Sequence, residues 1–468
     1  MTVPNGALLT PPPDVRGKRV LVYSLGIEGR DLANWLVAHE ARVVISDTRS
    51  DAALAAAGAT VPDGVDRLVF GQPLLDPAGF DLVAVSQSVL RYNPALQRAR
   101  ELGIPVTSQM RLFLQLCPGR TIGITGSSGK STTTALVGAM ARAAAIDHVV
   151  GGNIGEALLG RVDQITSETT VILEISHTQL QYTDRSPAIA AITNITPNHL
   201  DQFSWDEYVG LKRNILAYQH RGDVAVLNAD DHTSLALMAS VKGSLVRTST
   251  ATEPPGSGAW VDRGEVVVRG DSRPVAVLPV ADIRLRGAHN LSNVVMACAI
   301  GSQAGFSTEA MAAAIRTFTG VPHRLEVVGT ALGATWVNDS IATSPERTIA
   351  GLRAFTEPVV LLLGGRDKNL ELDGLRELAR ERCRAVVCFG EAAELFCGSM
   401  SGAVTDCTVV ADLDAAVQVA TTRVQSGDAV LLSPAGTSFD AYPNFEVRGE
   451  AFRRLVRALP GFTQEVSP

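Results

Sequence analysis

Short apolar runs rich in Val, Ile and Leu alternate along most of the chain with segments whose apolar positions recur at helical spacing. From Arg16 to about Gln109 the pattern predicts strands at Arg19–Leu25, Ala41–Ser46, Arg67–Phe70, Asp81–Ser86 and Ile104–Thr107. Gly26-Ile-Glu-Gly29 turns the first of these into a helix ending at Ala38. A second block reaches from about residue 110 to Gly320. It has predicted strands at Thr170–Ile175, Ile189–Asn194 and Val224–Asn228, a helix at Trp205–Tyr218, and closing helices at His289–Ala304 and Thr308–Phe318. Within it, the alternating runs Trp260–Val261, Glu265–Arg269 and Val275–Leu278 predict a small antiparallel patch. A third block opens at Val321 and repeats the strand–helix rhythm through Trp336–Asp339, Val359–Leu363, Ala385–Phe389 and Ala429–Leu432.

This βαβ rhythm predicts an α/β protein of three domains. They are an N-terminal Rossmann-like parallel sheet (16–109), a central α/β domain with the antiparallel patch (110–320) and a C-terminal Rossmann-like α/β domain (321–468), after a flexible leader over residues 1–15. A length of 468 residues suits several cores rather than one. Ligands in such sheets gather at the carboxyl ends of strands. Two of the later strands end in small or polar residues, Gly364-Gly-Arg-Asp-Lys368 and Ser433-Pro-Ala-Gly436.

Composition narrows the function classes. A net charge of −7 without a basic run argues against nucleic acid as the partner. No apolar run approaches the ~20 residues of a membrane span, and the N-terminus lacks the basic and apolar regions of a signal peptide. The six cysteines form no C-x-x-C pair. Four of them, Cys383, Cys388, Cys397 and Cys407, crowd the last block; a zinc site there is one reading, and reduced, buried thiols in a cytoplasmic protein the plainer one.

The densest chemistry lies in Thr121-Ile-Gly-Ile-Thr-Gly-Ser-Ser-Gly-Lys-Ser-Thr132, an apolar strand running through a glycine turn into a helix. Gly126 and Gly129 let the backbone fold tightly around Ser127 and Ser128 and aim N–H groups at an anion. Lys130 adds charge, the helix adds its positive end, and Ser131 offers a hydroxyl to Mg²⁺. This is the chemistry of a triphosphate cradle, as in P-loop ATPases, although Ile124 replaces the first glycine of the strict pattern. The competing reading is an ordinary βα turn with a capping serine. Ser24-x-Gly26-x-x-Gly29, followed by Asp47 at the next strand's end, carries a weaker dinucleotide-like signal, which close helix–strand packing also explains. Glu174 ends a buried strand and is placed to share a metal with Ser131. His199 is either a cation or phosphate ligand or a structural histidine, and Lys212 has the default reading of a solvated lysine on an amphipathic helix.

Eight ordered motifs resemble the Mur ligase family. They are the Gly126–Ser131 loop, Gly151-Gly-Asn-Ile-Gly155, Leu-Glu174-Ile-Ser, Asn194-Ile-Thr-Pro-Asn-His199-Leu-Asp, Gly287-Ala-His-Asn290-Leu-Ser-Asn293, Pro322-His-Arg324, Asn338-Asp339-Ser and Leu432-Ser-Pro-Ala. The resemblance implies an ATP-dependent amide ligase of peptidoglycan precursor synthesis, cytoplasmic and monomeric, that works through an acyl phosphate. Asp47-Thr-Arg49, Asn338-Asp-Ser-x-Ala-Thr343 and Ser438-x-x-x-x-x-Asn444-Phe445-Glu-x-Arg-Gly449 point within the family to D-glutamate as the incoming amino acid and UDP-N-acetylmuramoyl-L-alanine as acceptor.

By the same resemblance, the loop residues through Thr132 hold ATP, Asn290 and Asn293 meet its adenine, and Arg324 and Asp339 close over it. Ser131, Glu174, His199 and a carbamylated Lys212 hold Mg²⁺. Ile27, Asp47, Thr48 and Arg49 form the uridine pocket, and Asn153 reaches the muramoyl group. Thr343, Lys368, Ser438 and Phe445 receive glutamate. Three stretches depart from the family pattern: Ile341 stands where a lysine is usual, Ser86-Gln-Ser88 replaces Ser-Pro-Gly, and Ser176-His-Thr-Gln179 replaces Ser-Ser-Phe-Gln. The alternatives are a sister ligase for L-glutamate or another amino acid, an NAD-dependent oxidoreductase built on the first block, and a nucleotide-gated binding protein.

Overall fold

A computed structural model describes residues 12–56, 59–155, 157–200, 202–270, 273–285, 287–368 and 370–464. Of the expected leader, residues 1–11 lie outside the described residues. Among the described residues the strands assemble into three sheets. The first contains β1 (Arg19–Tyr23), β2 (Arg42–Asp47), β3 (Arg67–Phe70), β4 (Leu82–Val85) and β5 (Val106–Ser108), all parallel, in the order β3-β2-β1-β4-β5. β1 and β4 are almost wholly buried Val, Leu and Ala, as expected of strands covered on both faces.

The central sheet contains β6 (Arg120–Thr125), β7 (His148–Gly152), β8 (Thr170–Glu174), β9 (Ile189–Ile192), β10 (Val224–Asn228), β11 (Ser244–Ser249), β12 (Gly258–Asp262), β13 (Glu265–Arg269) and β14 (Val275–Pro279). Its order is β14-β13-β12-β11-β10-β9-β6-β8-β7. The antiparallel patch is present as β12–β13–β14, but it is not a separate sheet, because β12 pairs in parallel with β11. β6 lies between β9 and β8, so the carboxyl ends of these three strands open at one edge.

The third sheet contains β15 (Glu326–Ala331), β16 (Ala334–Asn338), β17 (Val359–Gly364), β18 (Cys383–Phe389), β19 (Cys407–Val410) and β20 (Ala429–Ala435), ordered β15-β16-β20-β17-β18-β19. It is parallel except for β15, which pairs with β16 as a hairpin. The chain divides into two compact units, Met1–Ile283 with Leu291–Thr317 and Arg284–Asn290 with Phe318–Pro468.

Within the first unit, polar bonds fasten the N-terminal sheet to the central one. The Asp31 carboxylate accepts from the Gln109 side chain at 2.9 Å and from the Leu159 and Gly160 amides at 3.0 and 2.9 Å. Arg111 pairs with Asp184 at 2.7 Å, and the Tyr182 hydroxyl donates to the Val89 carbonyl at 2.6 Å.

In the second unit, Arg448 is fully buried and ties the turn after β16 to the turn after β20. It donates from Nε to Ser340 Oγ at 3.0 Å, from Nη2 to the Ser340 carbonyl at 2.9 Å, and from Nη1 and Nη2 to the Gly436 carbonyl at 3.2 Å. Burial draws its pKa down to about 10, which leaves it charged at neutral pH. Arg448→Leu strands two buried carbonyls, at roughly 1–3 kcal/mol each. The expected result is a loss of about 3 kcal/mol from the second unit, seen as a lower urea midpoint for its unfolding.

Candidate active site

β6 delivers the chain into a turn that only glycine can make at two points. Gly126 has φ +150° and Gly129 φ +78°; a Cβ would come within 1.9 Å of Thr193 Oγ1 at the first and 2.1 Å of Asn293 Oδ1 at the second. The residues that follow β9, the strand beside β6, hold the turn in place. The Ser127 amide donates to the Asn194 carbonyl at 2.9 Å, the Ser128 amide to Asn194 Oδ1 at 3.1 Å, and Thr193 Oγ1 to the Ser128 carbonyl at 2.6 Å. Ser127 Oγ also meets the Tyr208 hydroxyl at 3.0 Å. The helix Lys130–Ala143 then starts at Gly129 with Ser131 and Thr132 buried in its first turn.

Two lysines converge on this turn. Lys130 Nζ folds back to donate to the Gly126 and Ser127 carbonyls at 3.0 and 3.1 Å. Lys212, from the helix Trp205–Ala217, donates to the same Gly126 carbonyl at 2.8 Å and to Thr125 Oγ1 at 3.1 Å. Lys212 is only 1% exposed, which overturns the default of a solvated lysine. Burial, then the charge of Lys130, pulls its pKa well below the ordinary lysine value, with Glu174 opposing.

Glu174 is equally buried at the tip of β8. Its Oε1 accepts from Asn153 Nδ2 at 2.7 Å, while its Oε2 has no hydrogen-bond partner. A buried carboxylate oxygen left so is costly unless a cation or donor meets it. With the Ser131 hydroxyl at the helix start, this oxygen-rich donor set fits Mg²⁺. His199 takes φ +55°, a left-handed conformation unusual for a residue with a Cβ, and its ring lies 4.3 Å from that of His177. Burial, then Lys212, His199 and Lys130, push His177 down to about 3, so its ring is neutral, and its buried Nε2 has no partner. His177 and Tyr208 were not singled out from sequence as site residues. The signal for His177 was its place three residues after Glu174; Tyr208 gave none beyond its helical spacing.

At the N-terminal sheet, Asp47 closes the turn after β1. Its Oδ2 accepts from the Leu25 amide at 2.7 Å and from Arg49 Nη2 at 2.7 Å; its Oδ1 accepts from Arg49 Nε at 3.0 Å. Burial alone raises this carboxyl, but Arg49 and the two amides hold it below the usual range. Gly29 is obligatory here, since a Cβ would meet the Ser24 carbonyl at 1.8 Å. Thr48 is exposed, and Ile27 stands 68% exposed at the start of its helix. Two departures from the family pattern touch each other. Gln87 Oε1 accepts from Ser176 Oγ at 2.7 Å and Thr178 Oγ1 at 3.1 Å, while Glu28 accepts from the Gln87 amide at 2.7 Å and from Gln179 Nε2 at 2.5 Å.

In the second unit, Asp339 at the end of β16 accepts from the Leu325 amide at 3.1 Å and Ser433 Oγ at 2.9 Å. Burial raises its pKa to about 7 against those bonds and against Arg324 and Arg347. Lys368 Nζ donates to Thr343 Oγ1 at 3.3 Å. Ser438 is buried, the Phe445 ring stacks edge-on to His323 at 6.3 Å, and the Phe445 carbonyl accepts from Ser340 Oγ at 2.8 Å. The Ile341 carbonyl accepts from Arg347 Nη1 at 3.2 Å. Asn290 and Asn293 are both buried in the first turns of the helix Ala288–Ala304.

Comparison with known proteins gives this arrangement a relationship. Residues 124–301 match the Mur ligase middle domain and residues 323–436 the Mur ligase, glutamate ligase domain. The chain is 39% identical over 450 residues to a UDP-N-acetylmuramoylalanine–D-glutamate ligase of Symbiobacterium thermophilum, covering 94% of this chain and 98% of that one. It is 38% identical over 453 residues to the enzyme of that name from Acidobacterium capsulatum, covering 96% and 98%. Among solved structures it shares the fold of a UDP-N-acetylmuramate–alanine ligase from Thermotoga maritima, with a TM-score of 0.57 at 17% identity over 93% of this chain and 98% of that one. A pseudomurein peptide ligase type C from Methanothermus fervidus aligns with a TM-score of 0.53 at 15% identity over 94% and 99%. Two family domains in tandem, full-length relatives at this identity and a shared fold lead to one conclusion: the chain belongs to the Mur ligase family.

Proposed function

We propose that this ligase uses ATP to join D-glutamate to UDP-N-acetylmuramoyl-L-alanine in the cytoplasm, acting as a monomer. The observation that carries the reading is the pair of lysines on the Gly126 carbonyl, set beside a buried carboxylate with an unsatisfied oxygen. The relatives' names supply the amino acid and the acceptor. Among the described residues no helix is long and apolar enough to cross a membrane.

In this reading, the turn from Gly126 to Thr132 wraps the ATP phosphates, and Lys130 exchanges its bonds to the Gly126 and Ser127 carbonyls for phosphate oxygens. Ser131, Glu174 and His199 hold Mg²⁺, which when bound neutralises charge on the phosphoryl oxygens. The alanyl carboxylate of the acceptor bonds to the γ-phosphorus as the β,γ P–O bond breaks and ADP leaves. The glutamate amine then bonds to the acyl carbon, loses a proton and expels phosphate. Asn290, Asn293, Arg324 and Asp339 take the nucleotide. Ile27, Asp47, Thr48, Arg49 and Asn153 take the UDP-sugar, and Thr343, Lys368, Ser438 and Phe445 take glutamate, Lys368 as the partner of a carboxylate.

Burial and the charge of Lys130 pull the Lys212 pKa down, which favours the neutral amine, the form that captures carbon dioxide. The resulting carbamate, formed with release of one proton, would carry a negative charge that attracts Lys130 and offers oxygen to a cation.

Three outcomes test this reading. With ATP, Mg²⁺ and UDP-N-acetylmuramoyl-L-alanine but no amino acid, hydroxylamine is expected to trap a hydroxamate; its absence despite binding of both substrates rules out an acyl phosphate. In side-by-side product assays, D-glutamate is expected to be joined and L-glutamate not. Lys212→Ala is expected to lower kcat by ~10²-fold or more, the loss typical when a charged group acting on the transition state is removed. Short carboxylic acids should restore much of that rate, whereas alcohols of the same size should not.

A further inference from the structure

The β18–β19 edge of the third sheet carries a concentration of chemistry that ligation does not use. Cys388 on β18, Cys407 on β19 and Cys397 on the helix Ala393–Met400 between them bring their sulfurs within 4.8 Å of one another. Cys383, the fourth cysteine of this block, is not part of the group. The register explains two of the positions. Cys388 stands opposite Val409 and Cys407 opposite Val386, which puts both thiols on one face of neighbouring parallel strands, with their sulfurs 4.0 Å apart. The helix packs on that face through Phe396 and Met400 and brings Cys397 over the pair.

This spacing suits a metal better than it suits redox chemistry. With metal–sulfur bonds of ~2.3 Å, the edges of a thiolate triangle measure ~3.8–4.0 Å, so the three sulfurs need contract by less than about 1 Å to close on one ion. Activated redox thiols sit in positive surroundings. Here the rim is acidic instead: Glu394 lines the cleft beside Cys397, and Asp406, itself paired with Arg423, precedes Cys407. Carboxylates at the rim favour an arriving cation. An open cleft of about 620 Å³, lined by Glu394, Cys397, Gly398, Ala403, Thr405 and Cys407, gives it a way in.

We propose that Cys388, Cys397 and Cys407 form a binding site for one thiophilic divalent cation of the zinc type, held by three thiolates with a fourth position facing the cleft. Binding replaces three S–H bonds by metal–sulfur bonds, so three protons leave for each ion and no electron is transferred. Soft sulfur ligands separate this site from the oxygen-donor Mg²⁺ site of the phosphate turn.

The test is titration of the reduced full-length protein with Cd²⁺ alone, without nucleotide. A thiolate-to-metal charge-transfer band should saturate at one equivalent, about three protons should be released per ion, and the thiols lost to a colorimetric thiol reagent should return on adding EDTA. The band reports sulfur ligands, so Cd²⁺ at carboxylates or imidazoles stays silent. Cys397→Ser and Cys407→Ser, isosteric changes at partly buried positions on the edge of the core, should each weaken binding at least ~10-fold, since losing even an outer partner of a ligand costs that much. Cys298→Ser should leave it unchanged. The proposal is overturned by a band indifferent to Cys397→Ser and Cys407→Ser, by no band at one equivalent, or by thiols that return with reductant but not with EDTA, the mark of a disulfide.

Discussion

Lys130 and Lys212 donate to one carbonyl oxygen, that of Gly126, and the second of these amines is closed off from water. Burial, and then the charge of Lys130, draws the Lys212 pKa well below the ordinary lysine value. That single condition governs much of the surrounding structure. The carbonyl faces both amines only because Gly126 adopts φ +150° against Thr193, where a side chain has no room. Thr193 and Asn194 in turn fasten the loop, Tyr208 holds Ser127, and the helix bearing Lys212 is fixed by a capping box of Ser204 and Glu207. Glu174 opposes that fall in the Lys212 pKa.

The α/β class was legible because parallel strands buried on both faces read as apolar runs, and the glycine turn because its residue types are dictated by backbone angles. What escaped the sequence has a common physical cause. β7, β11, β15 and β19 are short or only half-buried strands, and β7 ends in the two glycines of a motif, so none carries a long apolar signal. The pairing of Glu174 with Asn153, the isolation of Lys212 and the contact of the His177 ring with that of His199 arise between chain segments that meet only in the sheet order. No local pattern encodes such meetings. The three sulfurs at the β18–β19 edge are a further case: their spacing along the chain resembles no metal motif, and only the strand register aligns them.

Two departures from the family's motifs answer one another across the first unit. A Pro-Gly pair would bring no side-chain acceptor to Ser176 and Thr178, whereas Gln87 brings one. Glu28 then satisfies the Gln87 amide and Gln179 together, so the carboxylate buried between the sheets has donors on both oxygens. Burial still raises its pKa, which makes these donors necessary rather than incidental. Changes that look unrelated in sequence thus form one connected set of hydrogen bonds. The Ile341 departure has a different character: the position supplies its backbone carbonyl to Arg347, a cation reaching in from the next helix.

Asp31 grips Gln109 and the amides of Leu159 and Gly160 at once, and so sets the separation between the Asp47 turn and the phosphate turn. If the proposed reading holds, a sugar nucleotide anchored at the first turn would be gauged against the second, as an object is measured between the jaws of a caliper. An acceptor with one more amino acid, or one without its alanine, would present its carboxylate at the wrong distance from the phosphate turn. Selection by length would then follow from how two sheets are bolted together, without any side chain having to recognise the alanine methyl.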